Sequence, residues 1–129
     1  MNIPRLSAAL LAATLAAACG APVKTDEPQP WLAYAGESVK SVRYANLIDW
    51  QPLGRNSVMI RFEGSRFFLV QLREPCIGHV READRLGLDT AFDRRLRVND
   101  MVWLDGDACL VGDIQPLDWR AFTASRSEG

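Results

Sequence analysis

The strongest constraint on the fold is an alternation of period two that runs through the stretch SVMIRFEGSRFFLVQL. This pattern is typical of β-strands, because successive side chains of a strand point to opposite faces of a sheet. Gly64-Ser65 divides the stretch and predicts a two-residue hairpin turn. In that register Phe62 faces Phe67, and Glu63 and Arg66 close the turn as an ion pair.

Both faces of this predicted hairpin are largely apolar, whereas a sheet with one face in water alternates more cleanly. A second hairpin is predicted over MVWLDGDACLV, with Asp105-Gly106 as its turn and Val102 opposite Cys109. Further predictions are short strands at Leu47–Leu53, Arg85–Asp89 and Arg95–Val98, and a helical turn within Trp31–Tyr44. We therefore predict a mainly β domain, a small two-layer β-sandwich or partly open barrel of about six or seven strands with at most one short helix.

The N-terminal residues predict export and a lipid anchor. Arg5 precedes the uncharged run Leu6–Ala18, which is typical of a signal peptide and too short to span a bilayer as a helix. The sequence LAAAC ending at Cys19 resembles the bacterial lipobox, in which the cysteine sulfur receives diacylglycerol and the new amine an acyl chain such as palmitate. An ordinary signal peptide beside a coincidental cysteine is the alternative. We predict a signal peptide over residues 1–18 and lipidation at Cys19.

The segment after this cysteine predicts a tether. GAPVKTDEPQP contains three prolines and few large apolar groups, so it buries too little surface to order itself. We assign residues 19–30 to the lipidated cysteine and flexible tether, 31–122 to the β domain and 123–129 to a disordered tail. Gly20 stands where an aspartate would signal retention in the inner membrane, which favours the periplasmic face of the outer membrane.

Cys76 and Cys109 remain once Cys19 is assigned to the anchor, and two cysteines are the number needed for one disulfide. Disulfides persist in exported proteins, and closing a loop of this length stabilises by roughly 3–4 kcal/mol in the chain-entropy model. A redox or nucleophilic thiol is the alternative. Because the sequence contains no CxxC motif, we favour the structural bridge.

Charge excludes one class of partner and suggests another. The 15 basic and 16 acidic residues nearly balance, which argues against nucleic-acid binding driven by phosphate neutralisation. Four arginines, Arg81, Arg85, Arg95 and Arg97, form a candidate binding surface for phosphate or carboxylate groups of envelope polymers. Alternation places the last two on one strand face. Neighbouring acids favour the alternative, a solvated face of ion pairs.

Catalytic and metal-binding patterns are weak. His79 is the only histidine, and its Cys-x-x-His spacing with Cys76 supplies too few ligands for zinc once that cysteine is bridged. The sequence contains no G-x-S-x-G elbow that would place a serine nucleophile. We predict neither a metal nor a cofactor, and we interpret His79 as a loop histidine.

Several of these features together resemble a family of small lipoproteins of Gram-negative bacteria that is classed as a domain of unknown function. They are the lipobox, the tether, Trp50 ahead of the Val58–Phe62 strand, FFLVQL before Cys76, and Cys109-Leu110-Val111 before Ile114 and Leu117. The similarity covers most of the mature chain, but its motifs are short and structural. The resemblance implies no activity, cofactor or catalytic residue. Its paired cysteines match Cys76 and Cys109, which adds support to the bridge.

The sequence favours a non-enzymatic envelope lipoprotein that is attached to the membrane through its lipid. Its β domain would bind an envelope protein or polymer near that membrane. Two alternatives remain open. One is a small envelope enzyme that uses His79, and the other is a carrier that holds a small apolar ligand inside a barrel.

Overall fold

The chain forms eight β-strands and one α-helix within residues 28–73, 76, 79–88 and 93–127, which are the residues that the computed structural model describes. In chain order the elements are the 3-10 helix η1 (Pro30–Tyr34), β1 (Ser41–Arg43), β2 (Leu47–Pro52), β3 (Ser57–Phe62), β4 (Arg66–Leu72), the 3-10 helix η2 (Val80–Glu82), β5 (Leu86–Leu88), β6 (Arg95–Arg97), β7 (Met101–Leu104), β8 (Asp107–Pro116) and α1 (Trp119–Ser127). The mainly β prediction is confirmed. The described part of the chain has one strand more than the seven predicted, and the additional strand is β1. The predicted helical turn corresponds to η1.

The larger sheet is antiparallel, has the strand order β2-β3-β4-β8-β7-β5, and curls into a nearly closed barrel. The long strand β8 belongs to both halves, because its first part pairs with β7 and its second part with β4. The register between β4 and β8 shifts at Gly112, a residue of β8. A side chain there would be crowded, because an added Cβ would lie 3.0 Å from the Arg73 Cγ atom. A bulge at this glycine lets β8 change partners. Of the two predicted architectures, the partly open barrel is the one observed.

Strands β1 and β6 form a separate two-stranded ribbon. Its inner side chains, Val42 and Leu96, pair with each other and are buried in the barrel core. The ribbon is joined to β8 by a 2.8 Å hydrogen bond from the Asn99 backbone N–H to the Val111 carbonyl. Because Val42 and Leu96 point into the core, the charged side chains that alternate with them lie on the outer side of the ribbon.

The β3–β4 hairpin corrects one prediction. Its turn has three residues, 63–65, and Phe62 pairs with Arg66, so the predicted two-residue turn and its register are wrong by one residue. Gly64 and Ser65 occupy the left-handed region, with φ of 74° and 57°. The shift moves every β4 side chain to the opposite face from the one predicted, because side chains alternate along a strand.

The β7–β8 hairpin confirms its predicted turn and register. Val102 pairs with Cys109, and Trp103 pairs with Ala108. Both central residues of the turn have positive φ, 50° at Asp105 and 90° at Gly106. Two such residues match the twist of the flanking strands, so this local signal was sufficient to set the register.

Apolar side chains pack on both faces of the β3–β4 hairpin. The inner cluster fills the barrel and includes Val58, Ile60, Phe62 and Val70, each essentially inaccessible to solvent. The outer cluster is formed by Trp31, Met59, Leu69, Leu117 and Phe122. It is covered by η1 and α1 and not by a second sheet. The prediction of two apolar faces therefore agrees with the structure, but a helix supplies the second layer.

The C-terminal helix was not predicted at this position. Residues 123–127, assigned to a disordered tail, belong to α1, and residues 128–129 lie outside the described part of the chain. Burial of Phe122 and a 3.1 Å hydrogen bond from the Ala121 N–H to the Asp118 carboxylate stabilise a helix whose Thr and Ser residues have low intrinsic propensity. Within the described ranges, none of the helices is long and apolar enough to cross a membrane.

The predicted disulfide between Cys76 and Cys109 is present, with their Cα atoms 5.5 Å apart. Both residues are buried in the inner cluster, at 2% and 0% exposure. The bridge ties the segment after β4 to the first part of β8, which pairs with β7, and so reinforces the barrel. The predicted signal peptide, Cys19 and the tether as far as residue 27 lie outside the described residues.

Candidate functional site

A cleft of about 560 Å³ lies where the β1–β6 ribbon meets the turn of the β3–β4 hairpin. Its lining consists of Arg43, Tyr44, Ala45, Glu63, Arg66, Asp93 and Arg94. Arg43 ends β1 and Arg94 directly precedes β6, so the ribbon positions both. The lining therefore brings together three cationic and two anionic side chains from three segments of the chain.

Glu63 holds the cleft together and is not free to bind a ligand. Its carboxylate accepts hydrogen bonds from the backbone N–H groups of Ala45 at 2.8 Å and Asn46 at 2.9 Å. It also pairs with Arg66 at 2.7 Å, which confirms the predicted ion pair. The bonds from Asn46 and Ala45 lower the pKa of Glu63 to about 2, because they stabilise the ionised form. These bonds also explain why Glu63 lies in the turn and not in the strand.

Tyr44 forms the floor of the cleft. Its ring stacks on Phe62 of the inner cluster, with centroids 4.4 Å apart and planes inclined by 9°. Its backbone N–H donates a 2.9 Å hydrogen bond to the Arg94 carbonyl. Burial raises the pKa of the Tyr44 hydroxyl, and the nearby Arg94 opposes this effect. The hydroxyl therefore remains protonated at neutral pH.

The arginines give the cleft its chemical character. Arg43 lies directly opposite Arg95 in the ribbon, an arrangement of like charges that is unfavourable unless something anionic lies nearby. Arg94 has a φ of 50°, in the left-handed region that non-glycine residues rarely adopt. Among the described residues, no carboxylate forms an ion pair with Arg43 or Arg94. Two guanidinium groups are thus available beside the tyrosine.

The four predicted surface arginines lie in different parts of the fold. Arg95 and Arg97 share one face of β6, as predicted, with buried Leu96 between them. Arg81 lies in η2, and Arg85 directly precedes β5. The two pairs therefore come from separate elements, and only Arg95 and Arg97 are neighbours on one strand.

Arg97 fits the alternative interpretation of an ion-paired surface. Its guanidinium binds the Asp93 carboxylate, and the hydrogen bond lowers the pKa of Asp93 and raises that of Arg97. Both acids of the cleft, Asp93 and Glu63, thus have cationic partners, and neither forms an ion pair with Arg43 or Arg94.

The remaining candidate, His79, is exposed and precedes η2. Its backbone N–H donates to the Cys76 carbonyl at 3.2 Å, while the Cys76 sulfur belongs to the disulfide. In the part of the chain that the structure describes, no three His, Cys, Asp or Glu residues are grouped to hold a metal ion.

Arg43, Tyr44 and Arg66 are site residues that the sequence pattern did not predict. They lie far from Arg94 in the chain. The pairing of β1 with β6 brings Arg43 and Tyr44 to it, and the β3–β4 turn, bound through Glu63 to Ala45 and Asn46, brings Arg66. The sequence S-V-R does alternate as a strand does, but three residues are too few to reveal a strand.

Comparisons with known proteins provide a family and no activity. No curated protein and no solved structure matches the chain. The family model that does match spans residues 1–129 and confirms the expected membership of a family of unknown function. The chain belongs to the Family of unknown function (DUF6491).

Proposed function

We propose that this protein is a lipid-anchored envelope protein whose β domain binds an anionic partner through the cleft at Arg43 and Arg94. The observation that carries the proposal is the presence of these two guanidinium groups in a cleft whose own carboxylates are already paired. The role is one of binding and not of catalysis.

The geometry favours an oxyanion such as a phosphate or carboxylate group. Guanidinium groups bind such anions with two parallel hydrogen bonds, and Arg43 and Arg94 both line this cleft. The expected partner is an envelope protein or polymer that presents these groups.

The proposed location rests on the sequence. The lipobox ending at Cys19 supports a lipid anchor, and Gly20 supports the periplasmic face of the outer membrane. Eleven residues separate Cys19 from the predicted start of the β domain at residue 31, so the proposed anchor would keep the cleft close to the lipid surface. An anionic polymer near the membrane would then meet the domain at high effective concentration.

No specific observation favours the two alternatives, a carrier of an apolar ligand and an enzyme that uses His79. The inner cluster fills the barrel, whereas a carrier of an apolar ligand needs open space there. His79 lies on the surface and lines none of the described clefts, whereas a catalytic base needs a position beside a bound substrate.

The cleft is tested by calorimetric titration of the processed full chain in detergent micelles with pyrophosphate and citrate. We expect Arg43→Gln and Arg94→Gln each to weaken binding about tenfold, because each removes a charge-assisted hydrogen-bonding group. Arg120→Gln is the matched control, because it removes one exposed arginine from α1. If all three variants bind equally weakly, the loss of affinity reflects net charge and not the cleft. If Arg43→Gln and Arg94→Gln bind as the unmodified chain does, the cleft is not the binding site.

The anchor requires a separate test. We expect Cys19→Ser to abolish lipid attachment and release the protein from the membrane fraction, because serine lacks the thiol that receives the diacylglyceryl group. Mass spectrometry of the N-terminal peptide and fractionation measure the two effects. Normal processing and unchanged membrane retention of the Cys19→Ser chain would contradict the anchor.

A further inference from the structure

A second cleft, of about 600 Å³, lies on the outer face of the sheet between η1, the end of β2 and α1. Three aromatic rings, those of Trp31, Trp119 and Phe122, line it. The Trp119 and Phe122 ring centroids are 5.5 Å apart with planes at 48°, and Trp31 is only 4% exposed. Leu53 and Pro52 add further apolar surface. The walls of this aromatic groove therefore suit a flat apolar group.

One buried donor of the groove lacks a partner. The Trp31 side chain lines the groove, and its Nε1 has no hydrogen-bond partner among the described residues. A buried indole N–H normally has an acceptor, because it loses its bond to water on burial. This unpartnered donor therefore belongs to a residue that lines the groove.

A single charged side chain lines the groove. Arg126, in the last turn of α1, lies over the Phe122 ring with its Cζ atom 5.5 Å from the centroid. The helix has no acidic residue, and no carboxylate among the described residues pairs with Arg126. The other polar lining residues, such as Gln51 and Thr123, are neutral. The groove therefore combines aromatic walls with one positive charge at its rim.

We propose that the aromatic groove binds a small organic monoanion with a flat ring system, of the class of aryl carboxylates. The ligand ring packs against the half-buried Trp119, and its carboxylate pairs with Arg126. The volume lies within the range of ligand sites in proteins, about 300–1,000 Å³. This site is separate from the cleft at Arg43 and Arg94, with which it shares no lining residue.

The test uses 1-naphthoate as probe and the full chain in detergent micelles, with tryptophan fluorescence and calorimetry as readouts. We expect saturable binding that weakens about tenfold in Arg126→Gln, because the ion pair at the rim is lost. Arg120→Gln is the matched control on the same helix, since Arg120 does not line the groove, and it should bind within about twofold of the unmodified chain. Arg43→Gln should leave naphthoate binding unchanged and so distinguishes the two sites.

Two further measurements test the ring and the donor. The neutral alcohol 1-naphthylmethanol should bind about tenfold more weakly than naphthoate, because it cannot form the ion pair. Naphthoate should shift the indole N–H resonance of Trp31 in NMR spectra of the unmodified chain, a readout that does not depend on a folded variant. Absence of saturable binding, equal binding of the alcohol, equal loss in Arg120→Gln, or an unmoved Trp31 resonance would each overturn the proposal.

Discussion

The two faces of the β3–β4 hairpin both carry fully buried apolar side chains, but they are enclosed differently. The inner face lies inside a barrel of strands, where residues distant in sequence surround Phe62 and the disulfide closes the wall. The outer face is covered by η1 and the nine-residue helix α1 at the end of the described chain. A terminal helix can detach without breaking the sheet, whereas the barrel core opens only with the whole fold. We therefore expect the inner face to set the free energy of global unfolding, and the outer face to open locally when α1 detaches.

The largest expected effect tests the inner face. Phe62→Ala should lower the free energy of unfolding by about 3–5 kcal/mol, because Phe62 is fully buried and stacks against Tyr44. Denaturant unfolding followed by circular dichroism measures the change. A loss below about 1 kcal/mol would show that the barrel core relaxes around the cavity, and would remove the distinction between the faces.

The disulfide should be the next largest contribution. Replacing Cys76 and Cys109 together by alanine should cost roughly 3–4 kcal/mol of unfolding free energy, because the unfolded chain regains the entropy of an open loop. The same denaturation experiment measures the loss, with the unreduced chain as reference. If the double variant unfolds at the same denaturant concentration, the bridge does not reinforce the barrel.

The outer face should respond more weakly and more locally. Phe122→Ala should cost about 2 kcal/mol, below the usual range for a buried phenylalanine, because α1 detaches instead of leaving a rigid cavity. Amide hydrogen exchange should quicken in α1 while β3 and β4 keep their protection. Uniformly faster exchange across the barrel would indicate that the two faces unfold as one unit.

The smallest effect concerns the turn that ends the hairpin. The folded-state pKa of Glu63 is depressed to about 2 from an ordinary value of 4.5, so its contribution is present above pH 4.5 and is lost as the pH falls towards 2. Glu63→Gln should therefore flatten the decline of stability over this range. Unfolding midpoints measured between pH 2 and pH 6 test this, and parallel curves for both chains would contradict it.

Much of the fold followed from local patterns. The Asp105-Gly106 turn specified the register of β7 and β8, because both residues readily adopt positive φ. The β3–β4 register was missed because Glu63 is bound by backbone groups of a distant loop, at Ala45 and Asn46. The sequence shows a plausible turn at either register, and this contact between distant segments favours the three-residue one.

The candidate site was less predictable than the fold. Arg95 and Arg97 were placed on one strand face by alternation, but Arg97 is paired with Asp93, and the unpaired guanidinium groups belong to Arg43 and Arg94. Charge spacing along the chain does not reveal which acid meets which base. The aromatic groove likewise depends on α1, which the polar residues after Phe122 did not predict.

The sequence by itself determined the β class, the turn at Asp105-Gly106 and the pairing of Cys76 with Cys109. These features depend on residue alternation, on the backbone preferences of single residues and on a count of cysteines. The tertiary structure alone decided the register at Glu63, the helical cover of the outer face and the meeting of Arg43 with Arg94. Each of these depends on contacts between distant segments, whose free energy outweighs the weaker preferences of the local chain.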